Sequence, residues 1–551
     1  MKGEMEMTNV GDAMNRAVQC YRAGRVQTAQ QLCRDILADG ADHPDALHLL
    51  GVIACKTGRY DEAIELISRA IAQDRRVPQF HNTLGVVLRT MGKLEEALAA
   101  YEQALLLDGG YAEAHHNIGN VFFWQRRYAA AVEKYNLVIS LDPQRIEAYN
   151  SSAIALQYLG EYDAAIERCR QVLLQKPEYA EACNTLASIL VKKGLYVEAI
   201  ENYRRALQLK ADYAEAHCNL GMALLSSGRF EEGWAEYAWR LKTDRAAYLR
   251  GHPAPCWDGS CFAGKRLLVR HEQGFGDNIQ FMRYLPMVRR LGGTVCCEVL
   301  RPLAGLFAGF PGVDEAVEVS PGMAPAGQFD FHVPLLELPR ILGTTLETIP
   351  ATVPYVFANP ARAQHWRARF SRTDLNVGIV WAGHPAHRED AARSCPLRAF
   401  LRLSRIPHVR LFGLQKGGAA AQAKDLTADM PLLNLGDELD DFTDTAAVIE
   451  NLDLVISVDT AVLHLAGAMA KPAWALLPSS PDWRWMLDRP DTPWYPTVKL
   501  FRQQQHGCWD DVFHRVSEEL TARAAGRESA ARPLSALLGA GLRTGCGWPI
   551  D

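Results

Sequence analysis

GVIACKTGRYDEAIELISRAI, Gly51–Ile71, returns 34 positions later as GVVLRTMGKLEEALAAYEQAL, Gly85–Leu105. The match lies in where small residues fall. Extended both ways, one series runs Ala17, Gly51, Gly85, Gly119, Ala153, Ala187 and Gly221. A second runs Gly24, Gly58, Gly92, Gly160, Gly194 and Gly228, with Arg126 in the missing slot. A third runs Ala29, Ala63, Ala97, Ala131, Ala165 and Ala199, then Gly233. Three interleaved series with one period define a helix-turn-helix unit. The first series lets paired helices touch. The second supplies the turn, where glycine accepts positive φ. The third lets the second helix approach its neighbours. Asp142-Pro143 and Lys176-Pro177 punctuate junctions between units.

This period and these residue types resemble the tetratricopeptide repeat, with about seven units over residues 10–243 of a domain spanning 1–245. The resemblance implies an α-solenoid whose first helices line a concave face. Asn82, His116, Asn150 and Asn184 recur there, as does His48, and Thr83, Asn117, Ser151 and Thr185 follow one place on. Side-chain amides both donate and accept, which suits gripping a peptide backbone. The expected partner is a protein or peptide.

The 551 residues exceed one core and call for three or four units. A net charge of −5 gives no footprint for nucleic acid or a membrane surface. No apolar run reaches membrane-span length, and MKGEMEMTNVGDAMN lacks a signal-peptide core. Thirteen scattered cysteines without a C-x-x-C pair fit a reducing cytoplasm and no metal site.

After a linker, 246–264, strands and helices alternate. RLLVRHE, TVCCEVL and EAVEV read as strands around DNIQFMRYLPMVRRLG and RPLAGLFAGF as helices; NVGIVWAG, VRLFGLQ, DLVISVDT and AWALLP continue the pattern. This alternation predicts parallel sheets covered by helices. Two Rossmann-like domains are expected, 265–370 and 371–525, with a weakly ordered tail at 526–551.

Ligands of such sheets bind at the carboxyl ends of strands. There, Gln273, Gly274 and Gly276 form a turn that clears space for an incoming hydroxyl, and Asp277 either caps the helix or serves as general base. In DLVISVDTAVLHLAGAM a strand delivers Asp459, Thr460 and Ala461 to a helix start suited to a diphosphate, with His464 one turn on. Gly383, His384, Arg388 and Arg393 belong to a basic loop that can pair with phosphate oxygens. Gln415 and Lys416 end the next strand, where the lysine can neutralise a leaving diphosphate. Asp482, Arg484 and Trp485 shape a sugar or base pocket. No Walker A, G-x-S-x-G or H-E-x-x-H motif is present. The acidic run GDELDDFTD, Gly436–Asp444, reads as a helix cap rather than a metal site.

QGFGD, WAG with its basic loop, and VDTAVLHLAGAMAKP together resemble the bacterial heptosyltransferase family over residues 265–520. That resemblance implies the two-Rossmann GT-B fold and inverting, metal-free transfer from a nucleotide-diphosphate sugar, with no cofactor. It implies Asp277 as base, Asp459, Thr460 and Ala461 at the diphosphate and sugar, Arg388 and Arg393 at phosphates, and Gln415 and Lys416 near the nucleotide. The fused repeats are similar to the layout of O-linked N-acetylglucosamine transferases, which modify Ser and Thr of proteins. Two other readings stand beside this one: a heptosyltransferase-like enzyme of envelope glycan (lipopolysaccharide) assembly, and a repeat scaffold with a decayed transferase half.

Overall fold

The computed structural model describes residues 2–38, 42–319, 327–387, 389–424, 426 and 431–531. It comprises two compact units, Met1–Leu190 with Gln208–Ala211, and Val191–Leu207 with Asp212–Asp551.

In the first unit, helices pair as the 34-residue step requires, beginning with Lys2–Arg22 against Val26–Ala38. The first small-residue series sits at the pair contact. A β-carbon on Gly51 would lie 2.5 Å from Ile67, one on Gly85 2.5 Å from the Tyr101 ring, and one on Gly119 2.7 Å from the Tyr135 ring. Each helix thus receives the residue sixteen places on as a knob. Ala29, Ala63, Ala97, Ala131 and Ala165 of the third series are fully buried. At the turns, Gly24, Gly58, Gly92 and Gly160 have φ of 74°, 76°, 78° and 82°. Arg126, in the slot without glycine, keeps the left-handed turn at φ 61°. The turn geometry is therefore set by the packing of the pair, and the arginine accepts the strain.

In the second unit the last pair, Ala214–Ser226 and Phe230–Tyr237, belongs to the α/β core. Trp234 meets Trp483 edge-on at 5.2 Å and donates its indole N–H to the Thr344 carbonyl at 3.0 Å. The boundary expected at residue 245 is one of pattern; packing joins the final pair to the sheets beyond it.

Two parallel sheets come next. The first has the order β3-β2-β1-β4, from β1 Arg266–Arg270, β2 Thr294–Leu300, β3 Glu315–Val319 and β4 Phe331–Pro334. The second has the order β10-β9-β8-β5-β6-β7, from β5 Leu375–Val380, β6 Val409–Gly413, β7 Leu432–Asn434, β8 Leu454–Val458, β9 Ala473–Leu477 and β10 Val498–Arg502. β8 shows how the second sheet is covered. Leu454, Ile456 and Val458 pack with Val512, Phe513 and Val516 of the Asp510–Ala531 helix, while Val455 faces the opposite layer with Leu463 and Leu465. No helix among the described residues is long and apolar enough to cross a membrane.

The sequence pattern missed β4, β7 and β10. All three are edge strands of three to five residues, too short for a periodic signal. DNIQFMRYLPMVRRLG is not one helix but Phe275–Phe281, a tight turn and Leu285–Arg289, with Pro286 at the second helix's start. RPLAGLFAGF keeps only Ala304–Phe307 as α-helix. The closing helix runs to Ala531, past the expected limit of 525; the rest of the tail, 532–551, lies outside the described residues.

Candidate active site

β1 runs out through His271 and Glu272 into Gln273, whose φ of 60° turns the chain sharply. Gly274 then caps the Phe275–Phe281 helix. Asp277 closes that cap: its Oδ2 accepts from the Gly274 N–H at 2.8 Å. Its Oδ1 accepts from Arg484 Nη2, and the side chain is 18% exposed. Gln273 is tied by its amide to the Tyr237 hydroxyl at 2.9 Å.

On the second sheet, β8 leads through Asp459 and Thr460 into the Ala461–Ala468 helix. Thr460 is the N-cap but makes no side-chain cap bond; its hydroxyl lies 2.9 Å from that of Ser457. The first N–H groups of the helix are left without helical partners, as at any helix start. Thr460, Ala461 and Val462 are partly exposed. His464 is buried, hydrogen-bonded through Nδ1 to the Tyr495 hydroxyl at 3.0 Å and stacked on Trp485 at 5.3 Å. Its Nε2 lies 3.7 Å from Asp459 Oδ1. Burial alone would raise the Asp459 carboxyl, but the His464 imidazole and the Arg393 guanidinium outweigh it and hold it down at about 2.

These two helix starts meet. A β-carbon on Gly276 would fall 2.8 Å from His464 Cδ2 and 3.5 Å from Ala461 Cα. The expected role of Gly276, clearing space for a hydroxyl group, is corrected: the His464 ring occupies that space. Nearby, Phe275 approaches Phe442 at 5.3 Å, and a β-carbon on Gly305 would collide with Thr443 Oγ1. The two sheet domains are closed on one another along this line.

The loop after β5 is internally knit. The Gly383 N–H donates to Ser394 Oγ at 2.9 Å, which donates to Asp390 at 3.0 Å, with Arg393 Nε 3.5 Å from the same carboxylate oxygen. A β-carbon on Gly383 would collide with Asp390 and Arg393. Arg393 thus lies between Asp390 and the charge of Asp459. His384 is exposed and its Nδ1 accepts from the Ala386 N–H at 3.2 Å, a turn contact. Arg388 lies outside the described residues. Gln415 is corrected from ligand to scaffold. Only 4% exposed, it accepts from the Trp381 and Ala382 N–H groups and donates to the Ala382 and Lys416 carbonyls. Lys416 is exposed, with its ammonium on the Leu439 carbonyl.

The polar residues of the repeats form a ladder. His48 Nε2 meets Thr83 Oγ1 at 2.8 Å, Asn117 Nδ2 donates to Asn82 Oδ1 at 2.9 Å, and His116 Nε2 meets Ser151 Oγ at 3.2 Å. Each rung joins one unit to the next at a separation of 35. Asn82 is buried at 3% exposure, so it is a rung rather than a groove wall. His116 and Asn184 are half-buried, as is Asn150, whose buried Oδ1 has no hydrogen-bond partner among the described residues.

Three arginines carry more than the sequence pattern indicated. Arg240 is buried with both Glu272, at 2.7 and 2.9 Å, and Glu337, at 2.6 Å. Arg283 is buried and donates to the Trp494 carbonyl at 2.7 Å and the Tyr355 hydroxyl at 2.9 Å. Arg484 binds Asp277, Asp482 and Gln280 at once. A charge inside the apolar stretch IQFMRYLPM was the one visible signal, since such a charge must find buried partners. Among the described residues, no group of three or more His, Cys, Asp or Glu is placed to hold a metal ion.

Comparison with known families finds matches in both halves. Models described as TPR repeat and tetratricopeptide repeat match residues 87–125 with 187–228, and 21–85. Residues 403–519 match glycosyltransferase family 9 (heptosyltransferase). The chain therefore carries tetratricopeptide repeats in its N-terminal region and a family 9 glycosyltransferase segment toward its C-terminus. That segment takes in Lys416, Asp459, Thr460, His464 and Arg484; Asp277 precedes it. Protein FlbA of Caulobacter vibrioides is 29% identical over 316 residues, 53% of this chain and 53% of its own length, so the alignment spans about half of that protein. Among solved structures, a tetratricopeptide repeat protein from Parabacteroides merdae aligns with 44% of this chain and 96% of its own, at 14% identity and TM-score 0.38. Pseudomonas aeruginosa pilF aligns with 38% and 93%, at 23% identity and TM-score 0.33.

Proposed function

We propose that this chain is an inverting, metal-independent glycosyltransferase. It moves a sugar from a nucleotide-diphosphate donor to an acceptor hydroxyl, in the cytoplasm, with the repeats recruiting a protein or peptide acceptor. Asp277 takes the hydroxyl proton as the new C–O bond forms at the anomeric carbon. The bond from that carbon to the diphosphate breaks, and the nucleoside diphosphate leaves with the electron pair. Thr460, Ala461 and the helix start behind them receive its negative charge, with Lys416 and Arg393 as the cations for its phosphate oxygens. Asp459, ionised beside His464 and Arg393, orients the sugar.

One observation carries the reading. The Asp277 helix and the Asp459–Ala461 helix start abut, with Gly276 pressed on His464, so a candidate base and a candidate diphosphate site share one line of domain contact. The family 9 match over the second of these supports the same chemistry. Because the domains touch at Gly276 and His464, donor binding in this reading parts them.

The test is a screen of UDP-, GDP- and ADP-linked sugars, read by thermal shift and by nucleotide release. Stabilisation and turnover by one donor are expected, with Asp277→Asn losing turnover and keeping the thermal shift. No response to any donor would sink the reading in favour of a non-catalytic scaffold. The heptosyltransferase description of the matching family favours a second reading, a glycan acceptor of the cell envelope. Capture of clients on the full chain separates the two: a glycosylated protein supports the first and a lipid-linked glycan the second.

A further inference from the structure

We propose that Arg484 is the positioning residue of the transfer step: reaching from the second domain, it fixes Asp277 in the first, so that the base is assembled only when the domains are closed. The inference rests on the reading of Asp277 as base. Its own support is the geometry of the guanidinium. Arg484 follows β9, in the turn Trp483–Trp485, and its side chain is 7% exposed. Nη2 donates to Asp277 Oδ1, Nε to Gln280 Oε1 at 2.8 Å, and Nη1 to Asp482 Oδ1 at 2.8 Å. Asp277 and Gln280 lie one turn apart on the Phe275–Phe281 helix. One planar fork thus grips two successive turns of the opposing helix while its own end is braced by Asp482. The plane of the fork is pinned further by the Trp483 ring, 4.4 Å from the guanidinium carbon, and the Phe281 ring at 5.6 Å.

The arrangement divides the labour on the carboxylate. Oδ2 is engaged by the Gly274 N–H from its own helix, and Oδ1 by Arg484 from across the interface. Asp482, the Tyr237 and Tyr495 hydroxyls and His464, which faces Gly276, also lie around this point. Burial would weaken the charge on Arg484, but Asp482 and Asp277 outweigh it and hold the guanidinium protonated. When the domains part to admit a donor, Asp277 keeps its backbone cap and loses its cation. Reclosure restores both aim and charge.

The experiment follows nucleotide release against donor concentration in the full chain, with whichever UDP-, GDP- or ADP-linked sugar the screen identifies. Asp277→Asn comes first; wild-type turnover in that variant removes Asp277 from the chemistry, and the functional reading fails before Arg484 is considered. With Asp277→Asn inactive, Arg484→Met is expected to lower kcat on the order of 10²-fold and to leave the donor KM within about twofold, since a group acting on orientation spares ground-state binding. Arg484→Lys keeps the charge without the fork, so kcat should recover only in part, to about tenfold below wild type, at the same KM. Wild-type kcat in Arg484→Met, or a loss lying wholly in KM, overturns the proposal. If Arg484→Met does not fold, Arg484→Lys and Gln280→Leu decide. A fall in kcat at constant KM in both supports positioning, and wild-type kcat in both overturns it.

Discussion

Replacing Gly276 by alanine measures how tightly the two helix starts are fitted. The new β-carbon falls 2.8 Å from His464 Cδ2. Carbons in comfortable contact sit at about 3.5–4.0 Å, so the imidazole must retreat by roughly 0.7 Å. It is held on both sides, by the Tyr495 hydroxyl at 3.0 Å and by the Trp485 face. Retreat stretches that hydrogen bond out of range, forfeiting about 1 kcal/mol, and crowding a fixed neighbour costs about 1–3 kcal/mol. Alanine recovers up to about 1 kcal/mol of helix propensity. The balance is a destabilisation of about 1–3 kcal/mol, or about 2–4 °C in Tm for a unit of this size. Gly274→Ala is the internal control. It lies two residues away, is exposed, has an ordinary φ of −89°, and its β-carbon would meet only the Asp277 carboxylate at 3.2 Å. Its cost should stay below about 1 kcal/mol, the usual N-cap preference. Calorimetry of both full-length variants is the assay. A Gly276→Ala protein that melts no lower than Gly274→Ala would refute the fit.

Other expectations concern the framework. Arg126→Gly relieves the left-handed strain at φ 61° and should stabilise the chain by about 0.5–1 kcal/mol in urea titration, whereas Gly92→Ala, at φ 78°, should cost about 1 kcal/mol; a loss of stability in Arg126→Gly argues against strain. Arg240→Met strands Glu272 in the core, leaves Glu337 with Arg340 alone, and should cost about 3–5 kcal/mol, with partial recovery when both glutamates become glutamine; a cost under about 1 kcal/mol would show that the cluster is not buried in solution. For Asp459, a carboxyl held at about 2 against about 3.9 unfolded adds about 2–3 kcal/mol, fully present above pH 4 and lost as pH falls toward 2. Wild type and Asp459→Asn should therefore differ in urea stability at pH 6 and converge as pH nears 2; a gap independent of pH contradicts the assignment.

The repeats were legible because their signal is steric and recurs at a fixed step. Gly51, Gly85 and Gly119 stand out by their step of 34, and the structure adds that each faces a knob sixteen residues on. The ladder was half legible. Both columns, Asn82 with His116 and Thr83 with Ser151, stand out in the sequence. That they bond to each other follows only from neighbouring helices placing position x of one unit beside x+1 of the next. In the second half, the runs ending in Asp277 and in Asp459–Thr460 announced themselves as strand-to-helix turns. What no local pattern could show was that Gly276 serves a histidine 188 positions away, or that Arg484 would claim the Asp277 carboxylate. Edge strands such as Phe331–Pro334 escaped for a simpler reason: four residues cannot show a period.

The helix pair ending at Tyr237 answers to two masters. Trp234 and Tyr237 must satisfy the spacing of the array behind them and the aromatic layer around Trp483 ahead of them. Random mutagenesis of the repeats should therefore show a gradient. Early units should tolerate insertion or loss of whole 34-residue blocks, whereas the same edit after residue 212 should yield insoluble protein. Anyone wishing to graft a different array onto the α/β half should place the seam ahead of that pair and carry it along as part of that half.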